Sequence, residues 1–326
     1  MEHVNRRAID VFRQNREVIS LYFVVLAIVI LGMVFFPAFR GRQNLINLMN
    51  QIAPIGFVAL GQTYVILTTG IDLSVGSVMS LTTVLAATKM NTGDFQSVLI
   101  TLLIIFAAAI IIGGFNGLMI ARLRLEPLIV TLATGSIVGG IALSLLPYPG
   151  GFVPYPFTQL WSQTVLDLVP MGFLYLIIMI IFHYFFLRNT RFGRWVYATG
   201  GNERKARNTG LIVDLVKVKV YIICSLMASL SGLALASRMH SGDPLSGNPF
   251  TLFSVAAVLV GGTTFSGGRG GILNTVAGIF ILSLLRIFLN IAGVSPYFQN
   301  LLTGLIIIAA VLYSSYSRGS LRGGMS

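Results

Sequence analysis

Apolar runs of about twenty residues recur along almost the whole chain, and the short segments between them hold nearly all of its charge. A helix needs about 20 apolar residues to cross the roughly 30 Å hydrocarbon core of a bilayer. Inside lipid, each such run must satisfy its own backbone hydrogen bonds. Only 10% of the 326 residues are charged, against about 25% in soluble domains. A soluble protein of this length could not cover its surface with so few. The sequence therefore reads as an all-α integral membrane protein.

Charges, prolines and glycine clusters divide the runs into ten expected transmembrane helices: 18–39, 45–69, 72–90, 96–121, 127–147, 166–187, 218–237, 250–264, 270–289 and 296–316. The third, eighth and ninth are short or interrupted by glycine, so eight or nine full spans with re-entrant pieces is the competing count. The organisation is an N-terminal segment 1–17, a transmembrane domain 18–316 containing a charged loop 188–217, and a tail 317–326. The first run has 22 uncharged residues and ends in Pro37-Ala38-Phe39. It is too long for a signal-peptide core and lacks a small-residue cleavage site, so it reads as a retained span.

Basic residues set the expected orientation. With the N-terminus cytoplasmic, the 22 Lys and Arg residues divide 17 inside to 5 outside, the outer ones being Arg40, Arg42, Lys89, Arg238 and Arg286. Both termini are expected inside, which requires an even number of spans. The net charge of +12 then reflects attraction to the anionic inner leaflet rather than nucleic-acid binding. The outer loop 147–165, with four prolines and no basic residue, reads as a rigid external surface.

Several chemistries are excluded or unsupported. The one cysteine, Cys224, precludes an intrachain disulfide and a cysteine-based metal site. No G-x-x-x-x-G-K-[ST] motif is present, so no ATP-phosphate cradle is expected in this chain. His3, His183 and His240 lack ligand spacing; His183 lies in an apolar span and reads as a packed histidine before a functional one. The ten Asp and Glu residues are too few within the spans for a proton relay. Neither a catalytic residue, a cofactor nor a metal is expected in this chain.

Two glycine-rich breaks stand out. The first, Thr69-Gly70-Ile71-Asp72-Leu73-Ser74-Val75-Gly76-Ser77, separates the second and third spans. The second, Gly261-Gly262-Thr263-Thr264-Phe265-Ser266-Gly267-Gly268-Arg269-Gly270-Gly271, separates the eighth and ninth. Such breaks free backbone groups that must face protein or water, and paired breaks point to a transport pathway. Gly70, Asp72, Ser74, Gly76, Gly261, Gly262, Phe265 and Gly267 are the candidate path or helix-break residues. Tight packing of small residues is the plainer reading. Asp72 is expected to cap the third helix, with direct solute contact as the alternative.

The loop 188–217 is the most charged segment. Asn202 can cap a short helix, Glu203 then sits at its positive end and Arg207 at its negative end, and Gly210 supplies the stop. A two-turn basic helix is expected over 203–209. It suits docking of a soluble partner; a loop that merely orients the protein is the alternative.

At these three segments the sequence resembles the ribose-type permease family of bacterial ABC importers. Val65-Ile66-Leu67-Thr68-Thr69-Gly70-Ile71-Asp72-Leu73-Ser74-Val75-Gly76-Ser77 is similar to its early segment. Arg191-Phe192-Gly193-Arg194, Tyr197-Ala198 and Gly200-Gly201-Asn202, with Ala206 and Gly210, resemble its coupling loop, and Val260-Gly261-Gly262-Thr263 with Ser266-Gly267-Gly268-Arg269-Gly270 its late glycine motif. In order and spacing the resemblance covers about residues 20–315. It implies a ten-helix subunit that pairs with a second permease subunit around a central path. A periplasmic or lipid-anchored binding protein would deliver a sugar or sugar-like solute. A cytoplasmic ATPase, holding ATP and Mg, would grip the coupling segment: Arg194, Gly200, Gly201, Asn202, Glu203, Arg204, Arg207 and Gly210. One departure is visible: where the family carries a Glu-Leu-Asp-Ala-Ile-Ala-like stretch, this chain has Thr251-Leu252-Phe253-Ser254-Val255-Ala256, without either acid. That reads as a divergent substrate or as one half of a heterodimer. The functional expectation is an importer permease in a bacterial inner membrane, with a stand-alone secondary transporter or channel as the alternative.

Overall fold

A computed structural model describes residues 16–90, 93–295, 297–299, 301–306 and 308. The described chain is almost wholly helical. Helices α1 (Arg16–Phe35), α2 (Arg42–Leu67), α3 (Val75–Lys89), α4 (Phe95–Arg122) and α5 (Pro127–Leu145) come first. A surface helix α6 (Tyr155–Ser162) and a two-residue hairpin, β1 (Thr164–Val165) with β2 (Val169–Pro170), follow. Then come α7 (Met171–Asn189), the short pair α8 (Arg191–Gly201) and α9 (Glu203–Asn208), and α10 (Val213–Met239), α11 (Asn248–Val260) and α12 (Ile272–Ile291).

Six of these helices, α1, α4, α5, α7, α10 and α12, are long and apolar enough to cross a membrane. Burial separates two roles. Only 6% of the apolar window of α1 and 22% of that of α4 are buried, against 78% for α10. Exposed Phe23, Phe35, Leu103, Ile111, Ile129 and Phe182 on the outer helices form the surface that lipid covers. α10 packs against α2, α3 and α4 at the centre. There α2 is buried at every position from Ile52 to Leu67, and polar Gln62, Thr63 and Tyr64 enter a protein interior rather than lipid.

Of the three spans expected to be short, the third and eighth are so, whereas the ninth is corrected: α12 is an uninterrupted 20-residue helix that begins after the glycine cluster. α3 has 15 residues and α11 has 13, about 22 and 20 Å at 1.5 Å per residue, each less than the hydrocarbon core. Their starts meet inside the bundle. A methyl group added at Gly76 would overlap the Gly247 carbonyl and the Thr251 hydroxyl, and one at Gly247 would overlap the Gly76 carbonyl. The Gly247 amide donates to Ser80 Oγ at 3.0 Å.

The loop from 147 onward closes one end of the bundle. Gly150 and Gly242 exchange backbone hydrogen bonds at 2.9 and 2.8 Å, Phe152 N–H donates to Ala87 O, and Val153 N–H donates to His240 O. The sequence expectation of a sixth span beginning at 166 is corrected here. Leu166 and Asp167 both have positive φ in the hairpin turn, so the helix begins only at Met171. The seventh span starts earlier than expected, at Val213, because its first turns are polar and continue the helix below the apolar run. Of the expected span 296–316, residues 297–299, 301–306 and 308 are helical; the remainder, like 1–15 and 317–326, lies outside the described residues.

Candidate functional site

The three motif segments converge at the end of the bundle where α2 stops. α2 ends at Leu67, and Thr69 takes positive φ. The freed Leu67 carbonyl accepts the Gly268 N–H at 2.9 Å. Gly200, near the end of α8, packs against that same carbonyl so closely that an added methyl would overlap it. Gly267, at φ +70, lies beside Leu67 O, Gly200 O and Thr69. Tyr197 on α8 donates its hydroxyl to Gly270 O at 2.9 Å. Early break, coupling segment and late break therefore form one backbone-to-backbone junction, which only glycine permits at positions 200, 267 and 268.

The charged segment from Asn202 to Gly210 folds as the sequence predicts, into a short capped helix. Asn202 Oδ1 accepts from Lys205 N at 2.9 Å, capping α9. At the other end Gly210 N–H reaches Arg207 O and Leu211 N–H reaches Ala206 O, a Schellman stop with Gly210 at φ +82. Glu203 takes Arg207 on one oxygen at 2.9 Å and Lys217 on the other at 2.7 Å, and Arg207 also pairs with Asp214. Burial alone would raise the Glu203 carboxyl, but hydrogen bonds from Lys217 and Arg207 outweigh it and hold it below the ordinary glutamate range. The Asp214 and Glu203 bonds correspondingly raise Arg207. This network fastens α9 to the start of α10. Arg194, Gly201 and Arg204 differ in kind: all lie at the surface, and a methyl group added at Gly201 would meet nothing within 4 Å.

Between α9, the early break and the α4–α5 turn lies a cavity of about 540 Å³. Thr69, Gly70, Arg124, Glu126, Arg204 and Tyr221 are among its lining residues. Gly70 is pressed against the Tyr221 hydroxyl.

Behind this cavity the structure places Asp72 differently from expectation. Ser74, not Asp72, is the residue preceding α3. Asp72 Oδ1 accepts from Ser74 N at 2.9 Å and Ser74 Oγ at 2.6 Å, closing a local turn two residues earlier. Ser74 Oγ in turn accepts from Asn116 Nδ2 at 3.0 Å. Asp72 is fully buried, with its carboxylate beside the N-terminal end of α3, whose dipole favours negative charge. Of the late-break residues, Gly261 packs against the Asn274 carbonyl of α12, Gly262 has φ +88, and Phe265 is partly buried against the core.

Sequence reasoning missed Gly247, Asn116 and the Lys217 and Asp214 end of the ion network, and named Tyr197 only within a motif, without its contact to Gly270. Gly247 and Asn116 are single residues with no local pattern; their roles exist only through long-range contact. His183 proves to be packed: it is buried and shares a 2.9 Å hydrogen bond with Tyr64. Among the described residues no His, Cys, Asp and Glu group has a metal-holding arrangement.

A helical bundle with two short helices whose starts meet inside it, and a charged helix pair whose first member touches both glycine breaks, defines a membrane transport subunit of the permease class. A family model described as "Branched-chain amino acid transport system / permease component" matches residues 44–311, and the chain belongs to that family. It is 37% identical over 305 residues to the ribose import permease protein RbsC of Bacillus subtilis, covering 90% of each chain. It is 35% identical over 280 residues to RbsC of Escherichia coli K12, covering 85% of this chain and 87% of the other. It is 31% identical over 332 residues to the galactose/methyl galactoside import permease protein MglC of E. coli K12, covering 97% and 98%. No solved structure matches. The resemblance carried by the three segments is thus borne out, and they are the segments that meet at Leu67, Gly200 and Gly268.

Proposed function

We propose that the chain is the transmembrane subunit of an ATP-driven importer for a small sugar or sugar-like solute. Relatives named for ribose and galactose import support the substrate class. The observation that carries the mechanism is the junction of Leu67, Gly200 and Gly268. A push on α9 reaches the Gly200 end of α8, which touches both breaks at one contact.

In this reading about ten helices cross a bacterial inner membrane with both termini inside, and the α8–α9 end faces the cytoplasm. A separate ATPase binds ATP and Mg and docks on exposed Arg194, Gly201 and Arg204. A second permease subunit completes the path, and a periplasmic or lipid-anchored binding protein delivers solute to the opposite end. Closure of the ATPase moves α9, and α3 and α11 shift against each other at Gly76 and Gly247, changing the side on which the path opens. Gly70, Asp72, Ser74, Gly76, Gly261, Gly262, Phe265 and Gly267 act as packing hinges of that path.

The test is purification of the chain with its ATPase and solute uptake in proteoliposomes. Uptake is expected only with ATP. Uptake by the chain alone, following an ion gradient, would overturn the assignment in favour of a secondary transporter.

A further inference from the structure

The early break places an unbalanced carboxylate inside the bundle. Asp72 is fully buried, and among the described residues no Lys, Arg or His pairs with it. The N-terminus of α3 offsets only about half an elementary charge. A buried carboxylate without a full counter-charge is costly. Unpartnered polar atoms gather around it. Among the described residues seven buried side-chain polar atoms make no hydrogen bond, and four of them are Asp72 Oδ2, Asn116 Oδ1, Gln62 Nε2 and Ser225 Oγ. All four residues are fully buried. Buried polar atoms in a folded protein nearly always have a partner.

Contacts tie the segments that carry these atoms into a ring. Asn116 of α4 donates to Ser74 Oγ at 3.0 Å. Ser225 Oγ of α10 lies against Gly113, one turn before Asn116. The Cys224 thiol of α10 meets the Gln62 amide of α2 at 3.5 Å. The Tyr221 hydroxyl of α10 reaches Ile71 O, beside Asp72, at 3.5 Å. Hydrogen-bond directions say what the set can hold. Ser74 Oγ has one hydrogen, which goes to Asp72 Oδ1 at 2.6 Å. It therefore accepts from the Asn116 amide nitrogen, and Asn116 Oδ1 is left as a bare acceptor. A thiol both donates and accepts, so Gln62 can present either end of its amide. The set then offers a carboxylate oxygen, two amide oxygens and a hydroxyl. Oxygen sets of this kind suit hard cations. Its single carboxylate balances a single positive charge and would leave a divalent ion uncompensated.

We infer that Gln62, Asp72, Asn116 and Ser225 form a site for a monovalent alkali cation, which ties the early break to α2, α4 and α10. With one carboxylate and no imidazole or thiolate ligand, it differs from the His, Cys, Asp and Glu groupings that hold transition metals.

The experiment uses the full chain in nanodiscs of zwitterionic lipid and follows thermal unfolding in sodium, potassium and choline chloride at equal ionic strength. At least one alkali cation is expected to raise the melting temperature saturably; choline, too bulky for a close-packed interior, is not. Asp72→Asn keeps the acceptor of the Ser74 turn, and should need more than about tenfold higher cation for the same rise. Ser225→Ala is the sharper variant. Ser225 Oγ makes no hydrogen bond, so if it only packs, its removal is neutral or stabilising in every salt. As a ligand, its loss should weaken the cation response severalfold and leave the melting temperature in choline unchanged. Identical unfolding in the three salts would mean ordered water only and overturn the inference. A full response in Asp72→Asn, or an unweakened one in Ser225→Ala, would also overturn it. So would a melting temperature that follows pH and ignores alkali cations, since a proton would then balance the carboxylate. These readouts involve neither solute nor ATPase, so failure of the importer reading leaves them standing.

Discussion

The Gly268 N–H donates to the Leu67 carbonyl at 2.9 Å, joining the end of the second helix to the loop before the last described long one. Gly200 packs directly against that bond. The carbonyl is one that α2 leaves unsatisfied where it ends. Its partner comes from the other glycine break, so each break completes the other.

The adjacent pair Gly200-Gly201 should therefore split in mutagenesis. Gly200→Ala places a methyl into the Leu67 carbonyl and should destabilise by about 1–3 kcal/mol, the usual cost of overpacking. At exposed Gly201 an added Cβ meets no atom within 4 Å, so Gly201→Trp should leave the melting temperature unchanged while lowering solute-stimulated ATPase activity of the complex. Equal destabilisation by both would remove the distinction between junction and docking surface.

Arg204 and Arg207 should separate in the same way. Arg207 is committed to Glu203 and Asp214, so Arg207→Gln should lower stability by about 1 kcal/mol, given about 0.2–1 kcal/mol for each partly exposed pair. Arg204 has no such partners; Arg204→Glu should leave stability intact and reduce co-purification of the ATPase. Melting curves paired with pull-downs decide between them.

The fold was legible where one span follows another, because a helix in lipid must announce itself by apolar length. It was less legible where helices break. The α9 cap, stop and charges were readable because Asn202, Glu203, Arg207 and Gly210 lie within one nine-residue stretch. The pairing of Gly76 with Gly247 was not, since each is an isolated glycine whose requirement is set by a distant backbone. Asp72 was noticed as an acid in an apolar stretch, but its role was misplaced by two residues. An aspartate closing a turn on the next-but-one residue has the same local signature as a helix cap.

Acid should loosen α9 before it unfolds the bundle. Glu203 is held below its ordinary range by Lys217 and Arg207. Its contribution is therefore complete above the free glutamate value of about 4.3 and is lost as pH falls through the lower folded value. Hydrogen exchange of residues 203–210 should rise below about pH 4 in the wild type. In Glu203→Gln exchange should be elevated already at pH 7 and change little on acidification. A wild-type response that Glu203→Gln reproduces would assign the acid sensitivity elsewhere.

Asp72 provides the sharpest test of what the early break needs. Oδ1 accepts both the Ser74 amide and hydroxyl, and Ser74 then holds Asn116 of α4. Asp72→Ala removes both acceptor bonds in a fully buried site and leaves the amide unsatisfied, at about 1–3 kcal/mol. Asp72→Asn preserves the acceptor that carries the turn. If Asp72 is structural, Asp72→Ala should lower abundance and melting temperature, Asp72→Asn should largely restore both, and solute affinity should change in neither. If Asp72 instead contacts solute, Asp72→Asn should keep normal abundance and lose uptake. The geometry favours the first outcome, because both bonds made by Oδ1 point into the protein's own backbone turn rather than into a cavity.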